Sequence, residues 1–287
     1  MPNAAVSSSD AVEWQPVRVP AATHEVPGRV FLPRGGHRGW LVWAHGGSWR
    51  SGSVAGWHQA CADLALRSGC AVVSVEYRLA PEHPHPAALE DVLAVLDWAQ
   101  ERSAAEGLGP VSVGGDSSGG TIAASAAVVW RDAGRELRAQ VLAYPPMDPS
   151  CRGASFTRFH NNFPTREGLA QAWRDYRGTR AVPGMPSTPF EVADLSGLAP
   201  AIVGVGEFDA VADDVREFAR RLSQAGNDVA FREFPRMLHG AFLQMSEHRP
   251  GDDPYPLRAF LGGTLRGRLA GAVAPSAKSQ GPGARSV

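Results

Sequence analysis

Five stretches of the chain are short, almost wholly apolar and rich in β-branched residues: WLVWAH at 40–45, AVVSVEY at 71–77, PVSVGGD at 110–116, QVLAY at 140–144 and AIVGVGE at 201–207. Runs of this length without polar alternation match strands buried on both faces, not strands with one wet face. Helical patterns separate them at 55–67, 86–105, 118–133 and 213–226. Strand and helix in strict alternation imply right-handed crossovers and a mostly parallel sheet. A last strand at 229–235 and an amphipathic helix around 255–269 would complete it.

A chain of 287 residues can bury the core of one large α/β domain, which we expect over 1–270. Segment 145–199 breaks the rhythm: it is too long for a plain crossover and carries aromatics at helix-like intervals, so it reads as a lid or cap over the strand ends. Residues 1–25 read as an N-terminal segment with room for a short cap. Residues 271–287, small, polar and rich in Gly, Pro and Ser, read as a disordered tail.

The formal net charge of −1 gives no reason to expect a nucleic-acid partner. Cys61, Cys70 and Cys151 have neither zinc-site spacing nor a disulfide framework, which suits a reducing cytoplasm. No run approaches the roughly 18 consecutive apolar residues that span a bilayer, and the start has no basic region leading into an apolar core; no membrane association is expected. Oligomeric state stays open, with a homodimer allowed.

Chemistry enters at 112–123, SVGGDSSGGTIA. Gly115-Asp116-Ser117-Ser118-Gly119 is a G-x-S-x-G between a predicted strand and a predicted helix, and the helix start offers unpaired N–H groups beside whatever the serine attacks. Only Ser117 holds the central position; Ser118 lends its backbone N–H. Alone, the pattern is also what a glycine-rich turn looks like.

A serine hydroxyl becomes a useful nucleophile only with a base that a carboxylate orients. Downstream, Asp209 follows the strand at 201–207 and His239 follows the strand at 229–235, in the order serine, acid, histidine. Asp213 and Asp214 compete for the acid but open a helix, where capping explains them more simply. Upstream, WAHGGSW ends a strand at His45 and leaves Gly46, Gly47 and Ser48 able to expose N–H groups to a developing oxyanion.

With HGGSW, YRLAPEHPHPAALED (77–91), GDSSGG, LSGLAPAIVGVGEFD (195–209) and LHGAF in this order, the chain resembles the hormone-sensitive-lipase-like branch of the α/β-hydrolases over about 30–245. The resemblance implies the α/β-hydrolase fold, a mostly parallel twisted sheet of about eight strands with helices on both faces and a small helical cap. It implies hydrolysis of small to medium carboxylic esters by Ser117, Asp209 and His239 through an acyl-enzyme, without metal or organic cofactor. Oxyanion donors would be the N–H groups of Gly47, Ser48 and Ser118, with His45 and Gly46 shaping the loop and Arg78 paired to Glu82 in a turn.

Two departures stand out. Ser48 occupies a position where the family usually has a third glycine, which would narrow the room for tertiary-alcohol esters, and the N-terminal cap is short. Trp49 and the lid aromatics Phe156, Phe159, Phe163, Trp173 and Tyr176 are candidate substrate contacts, with lid core as the competing reading. The other functional readings are an arylformamidase-like amide hydrolase, an acyltransferase or thioester hydrolase, and a non-catalytic binder, which the presence of His239 disfavours.

Overall fold

A computed structural model of the chain describes residues 11–179, 181–245 and 252–271. Eight strands form one sheet in the order β1-β2-β4-β3-β5-β6-β7-β8. They are β1 (Val12–Pro20), β2 (Glu25–Pro33), β3 (Trp40–Ala44), β4 (Ala71–Val75), β5 (Ser112–Asp116), β6 (Ala139–Ala143), β7 (Ala201–Gly206) and β8 (Val229–Phe234). Every pairing from β4 through β8 is parallel, and β1 and β2 are antiparallel to their neighbours. In β3, β4, β5, β6 and β7 every residue is buried, which is why these strands read as continuous apolar runs.

Between the strands lie α1 (His58–Ser68), α2 (Ala87–Ala105), α3 (Ser118–Asp132), α4 (Ala154–Arg158), α5 (Arg166–Arg177), α6 (Ala212–Gln224) and α7 (Pro256–Gly271). Helix α6 shows the usual logic: Val215, Phe218, Ala219 and Leu222 recur at helical spacing and are the face it buries. Helix α3 is the exception. Gly119 to Val128 are buried without a break, because this small-residue helix is sunk against β5 and α2. No helix among the described residues is long and apolar enough to cross a membrane.

The N-terminal segment differs from expectation. From Val12 it is not a cap but the outer strand of an antiparallel hairpin that extends the sheet beyond β4. Mostly exposed positions in β1, with Pro16 and Pro20 inside or ending it, hid the strand pattern. Residues 1–10 of that segment lie outside the described residues. So do residues 272–287 of the expected tail, whose first residue, Gly271, ends α7.

Segment 145–199 holds α4, α5 and a 3₁₀ turn at Pro189–Glu191. Its connection to the body uses Asp213 and Asp214, which were expected to cap α6. The Asp213 carboxylate instead accepts from the Ser155 N–H at 2.7 Å, and that of Asp214 from the N–H groups of Met147 and Asp148, both at 3.0 Å. The Arg78–Glu82 pair is likewise absent. Arg78 reaches Asp91 and Glu90 on the first turns of α2, and Asp91 also accepts from the Arg78 N–H at 2.8 Å and lies 2.8 Å from His24 Nε2.

Asp91 is 1 % exposed, so removing its carboxylate leaves the Arg78 backbone N–H without its acceptor and takes from the part-buried Arg78 guanidinium its buried partner. Asp91→Ala should therefore lower the unfolding free energy by about 3 kcal/mol, read as a fall in the urea midpoint without a change in slope.

Candidate active site

The carboxyl ends of β3, β5, β7 and β8 share one rim of the sheet, and the four sequence motifs sit on the loops that leave it. At the end of β5 the chain turns sharply into α3, with Ser117 at φ 50°, ψ −125°. Such a conformation is strained for a residue with a side chain and holds its hydroxyl away from both elements.

The flanking glycines are sterically required. A Cβ on Gly119 would lie 2.1 Å from the Ala44 carbonyl oxygen, and one on Gly115 would lie 2.4 Å from Gly119 backbone. The first turn of α3 thus rests directly on the ends of β3 and β5, closer than any side chain permits.

The Ser117 Oγ lies 2.9 Å from His239 Nε2. His239 Nδ1 lies 2.9 Å from both carboxylate oxygens of Asp209, so the ring carries its proton on Nδ1 and leaves Nε2 to accept from the serine. Asp209 is fully buried, and one of its oxygens also accepts the Val211 N–H at 2.9 Å. The structure brings these three predicted residues together in one hydrogen-bonded line. Behind the imidazole stands buried Tyr144, centroid 4.8 Å away, whose hydroxyl accepts the Phe242 N–H and so pins the loop that carries His239.

The loop after β3 is wound tightly: Gly47, Ser48 and Trp49 have φ 122°, 55° and 59°. Arg50 and Ser51 donate back to the Gly47 carbonyl at 3.1 and 3.0 Å. The Gly47 and Ser48 N–H groups meet no backbone acceptor among the described residues, nor does that of Ser118 at the unpaired start of α3. Gly46 does not belong with these donors, because its N–H is taken by the Asp116 carboxylate at 3.2 Å. Its place is to shape the turn.

Buried His45 shapes the turn too. Its Nδ1 donates to the Gly46 carbonyl at 2.7 Å, its own carbonyl accepts the Tyr77 hydroxyl at 2.7 Å, and burial pushes the imidazole below its ordinary range, keeping it neutral.

Residues 41–243 match the profile of a protein family described as alpha/beta hydrolase fold. The chain belongs to this α/β-hydrolase family. It is 36% identical over 247 residues to the carboxylic ester hydrolase LipN of Mycobacterium tuberculosis, a match covering 82% of this chain and 65% of LipN. Among solved structures, a bacterial heroin esterase superposes with TM-score 0.79 at 30% identity, covering 91% of this chain and 85% of that one. An esterase from the bacterial hormone-sensitive lipase family gives 0.78 at 28% identity, covering 91% and 86%.

This α/β-hydrolase uses a second buried carboxylate that the sequence analysis did not single out. Asp116 precedes the serine, and one of its oxygens takes the N–H groups of Trp57 (2.8 Å), Gly46 (3.2 Å) and Trp43 (3.3 Å). Burial pushes its pKa up to about 7. All three donors converge on a single oxygen, which leaves the other free to carry a proton. The signal was present: an acidic residue at the end of a strand otherwise buried on both faces.

The expected substrate contacts divide. Trp49, Phe156 and Trp173 are 1 %, 2 % and 1 % exposed. Trp49 packs on Trp173 and stacks on Tyr176, centroids 4.3 and 4.6 Å away, so these rings are core that fastens α5 to the loop after β3. Phe163 lies at the site, its ring 5.6 Å from that of His239, and Phe159 lies 5.7 Å from Phe208, which the sequence analysis did not propose.

Because the folded state holds a proton on Asp116 that the unfolded chain releases near the ordinary value of 3.8, this group's contribution to stability should decline as pH rises from about 4 to 7. Asp116→Asn, which mimics the neutral acid, should give a shallower fall in urea midpoint over that range than the natural chain. Buried Asp214, also pushed up to about 7, supplies a slope of the same sign that remains. Asp116→Ala, which orphans three buried N–H groups, should cost about 3 kcal/mol or more at every pH.

Proposed function

We propose that this α/β-hydrolase is a serine carboxylesterase acting on small to medium esters. The observation that carries the reading is the single imidazole that meets the Ser117 hydroxyl through one nitrogen and the Asp209 carboxylate through the other, both at 2.9 Å. The names of LipN and of the heroin esterase support it. The matched region spans 65% of the length of LipN and of the carboxylesterase NlhH of the same species, so the activity is carried over as a proposal.

His239 Nε2 accepts the Ser117 proton as Oγ bonds to the ester carbonyl carbon. The carbonyl π electrons move onto oxygen, where the N–H groups of Gly47, Ser48 and Ser118 stabilise them. Each such donor contributes about 3 kcal/mol in comparable sites. Collapse of the tetrahedral species expels the alkoxide oxygen, which takes the proton back from Nε2 and leaves as the alcohol. Water then repeats the sequence on the acyl-enzyme and releases the acid. Asp209 stays ionised and stabilises the imidazolium formed midway.

The three cysteines are free and buried, and with them we place the protein in the cytoplasm. The 145–199 segment is read as a fixed cover, since Trp173 and Tyr176 anchor it in the core. For a homodimer, the outer edges of β1 and β8, each paired on one side only among the described residues, are the sheet edges open to a second copy.

Ser117→Ala should lower kcat for p-nitrophenyl butyrate by about 10⁴-fold or more with an unchanged urea midpoint. Turnover retained in that variant would refute the assignment. In the natural chain, kcat/KM for a short-chain ester should exceed that for an N-formyl aryl amine; the reverse order would favour amide hydrolysis.

A further inference from the structure

The direction in which the departing alcohol leaves follows from proton transfer. His239 Nε2 must reach the leaving oxygen with the proton it took from Ser117, so the alcohol portion of the substrate passes beside the imidazole. One neighbouring ring of that imidazole, Tyr144, is completely buried and closes the inner side. The other is Phe163, edge-on at 62° and 68 % exposed, whose ring contact among the described residues is with His239 alone. The open side of the imidazole therefore carries one large apolar ring with nothing over it.

Phe163 is not isolated. The neighbouring Asn162 side chain donates to the Phe208 carbonyl at 2.9 Å, tying its loop to the residue that precedes Asp209. The Phe208 N–H in turn donates at 2.9 Å to the carbonyl of Met237, two residues before His239. Phe208, 36 % exposed, also faces the Phe159 ring. Three aromatic rings thus stand on backbone tied to the acid and base of the triad, two of them strongly exposed. In water, exposed apolar rings of this size are unfavourably hydrated, and a flat apolar group that covers them is bound preferentially.

We propose that Phe163, with Phe208 and Phe159 on the loops that Asn162 ties together, forms a leaving-group platform that selects esters of aromatic alcohols. The proposal rests on the carboxylesterase reading and adds the side of the ester on which recognition falls. Phe163 acts by binding the alcohol portion. It takes no part in the proton transfers, so its loss is felt as a loss of selectivity.

Benzyl acetate, ethyl acetate and methyl phenylacetate separate the possibilities. The first two share an acyl group and release alcohols of similar basicity, and the third carries its ring on the acyl side. In Phe163→Ala the ratio of kcat/KM for benzyl over ethyl acetate should fall about tenfold, mainly through KM, and Phe163→Tyr should retain it. The methyl phenylacetate to ethyl acetate ratio should move by less than about twofold. The urea midpoint, expected to stay constant for so exposed a side chain, reports on folding. A benzyl preference untouched by Phe163→Ala, or a loss confined to methyl phenylacetate, overturns the platform while leaving the esterase reading standing. If the natural chain hydrolyses all three no faster than Ser117→Ala, the esterase reading fails and the platform with it.

Discussion

The site depends on a backbone contact with no room for a side chain. The first turn of α3 lies against the carbonyls of Ala44 and His45, so close that a Cβ on Gly119 would lie 2.1 Å from one and 2.4 Å from the other. This approach holds the end of β5 and the end of β3 at a fixed separation. It forces the turn at Ser117 into its positive φ and brings the start of α3 beside the loop that begins at Gly46. A hydroxyl on one strand end and N–H donors on another can serve one carbonyl group only if that separation does not fluctuate. Two hydrogen atoms in place of methyl groups are what permit it.

Asp116 makes the arrangement cooperative. Its carboxyl lies between the two strand ends and ties the Gly46 N–H to two indoles, one from β3 and one from the residue before α1. Holding an acid this deep opposes its ionisation, which burial expresses by raising its pKa to about 7. Below about pH 7 the acid is mostly neutral and still accepts all three donors through one oxygen, so there the loop keeps its shape without a full charge beside it. A like charge beside the loop would oppose the electron flow that the N–H groups assist in the proposed mechanism. Asp209 is buried as completely, yet it faces an imidazole that turns cationic in the proposed mechanism. Two buried carboxyls therefore serve opposite needs, and what distinguishes them is whether the partner can carry a positive charge.

The parts of this fold that the sequence made legible were those where burial is symmetrical. Strands β3 to β7 are buried throughout and mostly apolar because both faces are covered, and the alternation with helices then leaves few topologies. The β1–β2 hairpin escaped because an edge strand with wet faces and internal prolines has no such signature. The triad was legible because each member follows a strand, and parallel strands deliver their following loops to one rim. The aromatics were harder, since spacing shows which residues share a face and not what that face meets. In α5, Leu169, Ala172, Trp173 and Tyr176 recur at i, i+3, i+4 and i+7, a core stripe in which Trp173 could have been read as packing. Phe163 and Phe208 lie in loops where no period applies, and only the folded chain brings Phe163 beside His239 and ties the Phe208 backbone to the loop that carries it.

That division between packed and exposed aromatics gives the site its character. Trp49, Trp173 and Tyr176 pack on one another behind the loop after β3, so that loop rests on buried aromatic core. Around the imidazole the inner face is sealed by Tyr144 and the outer face is left to an exposed ring. Chemistry that needs fixed donors sits on the closed side, and the part of a substrate that must enter and depart meets the open one. Variation in Phe163 or Phe208 can change which alcohols are accepted without disturbing the backbone contact at Gly119, because no hydrogen bond of the triad or of the oxyanion loop passes through either side chain. The proposed bond-breaking residues and the proposed alcohol-binding surface are in this way separable by substitution, although they meet on the same imidazole.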